Sequence, residues 1–255
     1  ALSLVQSSQL SSFTFKANFF FPTPFFQTFG SSFDIRKLSF QSSIELKAIQ
    51  YRVPIAETSL DFVYFPSEDS NSEAAGTKKL LMIIPGLTGS INDSYIRELC
   101  SEALQNDFRP IVLNSRWLAK PVKLPKAGPI DFISDVEKTV NYIIKTFNAK
   151  ELYGIGISYG SNMLCKYLGT VGRNNEAFKG AVSIGNPFNM FRNKKLISSF
   201  WNLLLCRILQ KALIERKKSF RKTKKHSFNF VEVEEAVKAK NFIVFDEFFT
   251  RRMLG

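Results

Sequence analysis

The chain has 255 residues, 45% hydrophobic and 22% charged, with a mean hydropathy of -0.06, which excludes a mainly disordered, collagenous or multi-spanning membrane chain and suits one large α/β core. Its 35 lysines and arginines outweigh 22 acids, a net +13, so a negatively charged partner fits, whether nucleic acid or anionic lipid. Cys100, Cys165 and Cys206 are too few and too widely spaced for a disulfide framework or a zinc ligand set, and the single histidine, His226, excludes a His-based metal site. We expect no metal, no cofactor and a reducing, intracellular location, with membrane association left open.

Residues 1–50 are rich in Ser and Phe, with Phe19, Phe20, Phe21, Phe25 and Phe26 clustered around Pro22 and Pro24, which prevent a continuous helix. The favoured reading is a strand or loop packed on the core or an acid-poor targeting segment; an interfacial anchor is the competing one. No stretch of about 18 uninterrupted apolar residues suggests a transmembrane helix. The chain opens on Ala1 rather than Met and closes without a polar tail, so a piece of a longer chain is expected.

In chain order, Leu60 to Phe65 reads as a strand and Asp69 to Gly76 as a polar loop. Lys79 to Ile84, ended by Pro85-Gly86, reads as a fully buried strand. Asn92, Asp93 and Ser94 signal a helix start, followed by Tyr95, Ile96, Leu99, Ala103 and Leu104 at helical spacing. Arg109 to Leu113 is a further strand. After a loop holding Pro121, Pro125 and Pro129, a helix is predicted from about Ile133 to Phe147, with Val136, Val140, Ile143 and Ile144 on one stripe. Leu152 to Ile157 and Gly180 to Ile184 are strands flanking another helix. Such alternation predicts right-handed βαβ units: a mostly parallel sheet with helices on both faces.

Gly156-Ile157-Ser158-Tyr159-Gly160 falls between a strand and a helix, the setting the G-x-S-x-G nucleophile elbow requires. Ser158 would occupy a strained turn, and Gly156 and Gly160 would leave out the Cβ atoms where strand and helix nearly touch. Amides at the start of the helix, Tyr159 N–H among them, would face a developing oxyanion. The second donor is expected from Pro85-Gly86-Leu87-Thr88-Gly89, with Leu87 N–H the choice. The bland alternative is a glycine-rich turn with an accidental serine.

PGLTG at 85–89, DSYI at 93–96, GISYGSNMLCKYLG at 156–169, NPFN at 186–189 and FDEFFT at 245–250 together resemble α/β-hydrolase lipid esterases of the YheT type. These include monoacylglycerol lipases, medium-chain phospholipases and medium-chain ethyl-ester synthase/esterases. The resemblance covers about residues 55 to 255 and implies a serine hydrolase in which Ser158 matches the nucleophile of a Ser/Asp/His triad.

In that family the acid and the histidine follow the serine, yet Asp246 is the only Asp after Ser158 and belongs to FDEFFT, a cap motif in relatives. His226, between Lys225 and Ser227 in a basic run, reads as an exposed histidine rather than a base. The triad Asp and His, and the last core strands, are therefore expected in roughly a hundred residues that this chain lacks. Without a base the chain as written would be nearly inactive. Arg116-Trp117 stands where relatives have Arg-Gly, and Asp135 matches a family aspartate read here as structural.

From Arg192 to Lys225 stand twelve basic residues and one acid, Glu215. Leu196, Ile197, Phe200, Trp201, Leu204, Ile208 and Leu209 recur at helical spacing, so a basic amphipathic cap over the site is expected. Such a helix suits an anionic membrane surface, each cation adding roughly 1 kcal/mol; the alternative is a lid helix packed on its own protein. No zinc, helix-turn-helix or RNP pattern accompanies the charge, so nucleic acid is not an expected partner. The expected organisation is an N-terminal segment at 1–50, the first part of a hydrolase core at 51–188 and a helical cap at 189–255. The expected activity is hydrolysis or alcohol transfer of fatty-acyl esters; the alternative is a non-catalytic lipid- or partner-binding protein of the same fold.

Overall fold

A run of apolar residues longer than one side of a strand can hide must be covered on both faces, and Lys79–Ile84 meets that condition: every residue from Leu80 on is buried. In the computed structural model the described residues are 49–55, 58–64, 79–114, 132–149, 151–171, 177–189, 198–222 and 230–254. The chain divides into two compact units, Ala1–Ile44 and Glu45–Gly255, and all described residues lie in the second.

The elements are β1 (Ile49–Ile55), β2 (Thr58–Tyr64), β3 (Lys79–Ile84), α1 (Ser94–Gln105), β4 (Phe108–Asn114), α2 (Phe132–Phe147), β5 (Leu152–Ile157), α3 (Tyr159–Val171) and β6 (Phe178–Ile184). There follow α4 (Ser199–Lys222), α5 (Phe230–Lys238), α6 (Phe242–Phe245), a π-helical turn over Asp246–Thr250 and α7 (Arg251–Leu254). The six-stranded sheet has the order β1-β2-β4-β3-β5-β6. β4, β3, β5 and β6 run parallel, while β1 and β2 pair antiparallel with each other and β2 antiparallel with β4.

Most expected elements are present, with ends displaced by one or two residues. The strand expected from Leu60 starts at Thr58, that from Arg109 spans Phe108–Asn114, and that from Gly180 begins at Phe178, beside a register shift at Leu152/Tyr153. β1 had no counterpart in the sequence reading. It carries Pro54, which removes a ladder donor, and it lies at the sheet edge, where a strand tolerates that loss. The Phe cluster, the 69–76 loop, Arg116, Trp117, the three prolines after β4 and His226 lie outside the described residues.

Alternation along β3 sorts the core. Leu80, Met82 and Ile84 join Ile111, Leu113, Val136, Val140, Ile143, Met163 and Leu164 in one cluster. Leu81 and Ile83 join Val112 and the α1 residues Ile96, Cys100 and Ala103 in the other. Thus α2 and α3 cover one face and α1 the opposite one, as the periodicity predicts. Tyr95, placed by spacing on the packed stripe of α1, is 41% exposed. At the far edge of the described sheet, β6 leaves Val182 and Ile184 exposed at 53% and 47%.

The packed face of α4 combines buried apolar residues with polar side chains that bond to backbone. Asn202, Cys206 and Gln210, spaced one turn apart, all bond to the segment after α5. Asn202 Oδ1 accepts from Phe242 N–H at 2.6 Å, and Gln210 Nε2 donates to the carbonyls of Val237 at 2.8 Å and Ala239 at 2.7 Å. Leu209 and Leu213 are buried beside them, whereas Phe200 and Ile208, on the apolar face expected to meet either a lipid surface or the protein itself, are 50% and 45% exposed. Gln210 is placed among the buried residues because carbonyls at the end of α5 have no intrahelical donors and need partners. Leu196 and Ile197 lie outside the described residues.

Gln210 is buried, with 4% exposure, so Gln210→Leu keeps the volume and strands those carbonyls. We expect a loss of about 2 kcal/mol in urea unfolding; no change would show that water replaces the carboxamide there.

Candidate active site

β5 presents Leu152, Gly154 and Gly156 to the face that α3 covers, and the glycines let the helix come close. A Cβ on Gly156 would stand 2.5 Å from Ser161 Cα, and one on Gly160 would collide with the carbonyl oxygens of Ile84 and Pro85. Gly156 makes room between β5 and α3, and Gly160 between α3 and the end of β3.

Between them the chain turns through Ser158 with φ 54, a left-handed value that costs an L-residue roughly 1–2 kcal/mol. Such strain persists where the surroundings over-determine it. Ser158 N–H donates to Ile184 O at 2.8 Å and Ser158 O accepts from Asn162 N–H at 3.2 Å, so both its backbone groups are fixed. The residue itself is exposed. The arrangement is a sharp strand-to-helix bend with its hydroxyl at the surface and the first amides of α3 beside it.

The 85–89 loop reaches the same place. Gly86 approaches so closely that its missing Cβ would be 3.3 Å from Ser158 Cβ and 4.0 Å from Ser158 Oγ. The next residues form a turn closed by Gly89 N–H donating to Gly86 O at 2.9 Å, with Thr88 at φ 65. Leu87, at the first central position, is half-buried against the core cluster of the α2–α3 face. The loop is anchored from below: a hydrogen bond joins the Tyr95 hydroxyl to the Gly86 backbone, and Asp93 Oδ2 accepts from Ser90 N–H at 2.6 Å. The expected helix start at Asn92, Asp93 and Ser94 has Asp93 at the N-cap position of α1, where its carboxylate makes no cap bond to that helix and braces the loop instead.

Tyr159 divides its roles by atom. Its amide belongs to the first turn of α3, and its ring packs edge-on against Phe132 at 5.9 Å. Burial, and after it the Asp246 carboxylate, push its phenol up to about 12, so the hydroxyl is neutral near pH 7 and makes no nucleophile. Asp246 opens the π-helical turn after α6, and Phe245 and Phe249 at that turn are almost fully buried in the cluster that also takes in Met163 and Tyr167 of α3. The segment over 242–250 and α3 therefore share one apolar core. Asp135, read as structural, lies in the first turn of α2 with 1% exposure.

Among the described residues no group of three or more His, Cys, Asp or Glu side chains could hold a metal ion. No histidine is found among them either. The sequence reading missed the Tyr95 anchor, the serine and asparagine contacts behind Ser158 and the part Gly86 plays beside it.

The fold and this bend place the chain among α/β-hydrolase-fold proteins, and the α/β hydrolase fold family model matches residues 79–203. Within that fold it resembles lipid esterases. It is 36% identical over 121 residues to the embryogenesis-associated protein EMB8 of Picea glauca, across 47% of this chain and 26% of that protein. It is 27% identical over 222 residues to the phospholipase ABHD3 of Mus musculus, across 81% of this chain and 51% of that one. A monoacylglycerol lipase of Saccharomyces cerevisiae is 27% identical over 140 residues, across 54% and 31%. The chain spans about half the length of these relatives, or less.

If left-handed strain is stored at Ser158, glycine relieves it and alanine does not. Ser158→Gly is expected to be about 1 kcal/mol more stable than Ser158→Ala in denaturant titration; equal stabilities would mean that the bend is unstrained.

Proposed function

We propose that this chain is the nucleophile-bearing part of a serine esterase acting on fatty-acyl esters such as monoacylglycerol or medium-chain lipid esters. The observation that carries the reading is the exposed Ser158 at φ 54 between β5 and α3. Ser158 Oγ attacks the acyl carbonyl carbon while its proton passes to a general base. The oxyanion that forms is held by the N–H groups of Leu87 and Tyr159. Collapse of the intermediate breaks the ester C–O bond, the departing alcohol takes the proton, and the acyl group stays on Ser158 until water or another alcohol removes it. In this reading the base and its acid partner are an Asp–His pair outside residues 1–255. Residues 51–188 are the first part of the core and 189–255 its cap.

The cap also gives the site a route to its substrate. The outer face of α4 exposes Phe200, Leu203, Ile208 and Ile214, with Arg207 and Lys211 exposed among them. Apolar side chains interleaved with cations suit the boundary of an anionic lipid layer. Among the described residues no helix is long and apolar enough to cross a membrane, so contact through this face would be interfacial.

A fluorophosphonate probe applied to the full-length protein should label the wild type and leave Ser158→Ala unlabelled. Equal labelling of the two would remove the esterase reading in favour of a non-catalytic lipid- or partner-binding protein. For the surface, replacing both Arg207 and Lys211 by Ser should weaken binding to phosphatidylserine-containing vesicles roughly 30-fold, at about 1 kcal/mol per cation. Binding to pure phosphatidylcholine should change little; an equal loss on both vesicles would show that charge does not direct the contact.

A further inference from the structure

A left-handed serine is held only as firmly as the groups its backbone bonds to, and one of these is the end of β6. Ser158 N–H donates to Ile184 O at 2.8 Å. That end of β6 is exposed from Ala181 through Gly185, and Gly185 at once turns the chain back with φ 58. Among the described residues β6 pairs with β5 alone.

Side chains tie this end of β6 to α3. Ser161, wholly buried in the first turn of α3, shares a hydrogen bond with Ser183 Oγ at 2.6 Å. Asn186 Nδ2 donates to the same Ser183 Oγ at 3.1 Å, and Asn186 Oδ1 accepts from Asn162 Nδ2 at 3.4 Å. Asn162 is the residue whose N–H donates to Ser158 O. The two backbone bonds of Ser158 therefore end on Ile184 and Asn162, and the polar chain Ser161–Ser183–Asn186–Asn162 ties the neighbourhoods of both together.

We propose that Asn186, acting through Ser183 and Asn162, is a positioning residue that fixes Ser158 in its left-handed turn. The kinetic part of this inference rests on the reading of Ser158 as the nucleophile; the structural part does not. Asn186 touches no reacting atom. Its carboxamide closes the polar chain across the gap between α3 and β6, and the left-handed turn at Gly185 places it there.

The chemistry of the chain dictates the variants. Asn186→Asp can still accept from Asn162, and Ser183 can turn its hydroxyl to donate to the carboxylate while Ser161 donates to Ser183, so the chain survives with its direction reversed. Asn186→Leu keeps the size and breaks both bonds. In the full-length protein, Asn186→Leu should slow fluorophosphonate modification at saturating probe roughly 10- to 100-fold, as a small misplacement of a reacting atom does. The half-saturating probe concentration should stay the same. Asn186→Asp should recover most of the rate, and Ser183→Ala, at an exposed position, should lower it in the same direction as Asn186→Leu. Amide hydrogen exchange should quicken in Asn186→Leu at Ser158 and not in β3. Wild-type modification rates in Asn186→Leu, equal losses in Leu and Asp variants, or exchange that quickens equally in β3 would each overturn the proposal. If the probe leaves the wild type unlabelled, the nucleophile reading fails by itself, and exchange at Ser158 then decides whether the brace exists.

Discussion

The close approach of α3 to β5 and β3 is the constraint on which the site depends. A helix can start one residue after a strand only if the chain reverses within a single position, and that reversal puts Ser158 at φ 54. The reversal needs space that any Cβ at Gly156 or Gly160 would fill with backbone atoms. The same approach brings the start of α3 against the carbonyls that end β3, and so beside the Gly86 turn. The exposed hydroxyl, the helix amides and the loop thus follow from one packing requirement.

Below that bend the molecule is ordinary: alternation in β3 feeds two apolar clusters, and helices cover both faces. The segment over 242–250 is joined to α3 through Phe245 and Phe249, buried in the cluster that holds Met163 and Tyr167. Behind Ser158 the side-chain bonds of Ser161, Ser183, Asn186 and Asn162 join α3 to β6. One side of the elbow is gripped by apolar contact and the other by hydrogen bonds, which differ in reach: packing is continuous, whereas a hydrogen bond is lost within a fraction of an ångström.

Much of this was legible in the sequence because the physical demands there are local. Continuous apolar runs mark buried strands, and glycine two residues to either side of a serine marks a bend without room for side chains. β1 escaped because edge position, not composition, makes Pro54 acceptable. The polar contacts of α4 escaped because hydrophobic spacing cannot register that the Val237 and Ala239 carbonyls take Gln210 and that the Phe242 N–H takes Asn202, 27 to 40 residues away. Ser161, Ser183 and Asn186 escaped for a related reason: each is an unremarkable polar residue until the sheet order sets β6 beside β5. Asp93 has a capping residue's position and a loop brace's contact, a choice that only the folded loop makes.

The central claim is that the hydroxyl at this bend takes up an acyl group. Its most direct measurement is peptide mass mapping of the full-length protein, quenched with acid during turnover of a short-chain activated ester. The account predicts an added acyl mass on the peptide containing Ser158, present early and lost as substrate runs out. An acyl mass on another residue, or ester turnover with no covalent adduct at any time, would contradict it.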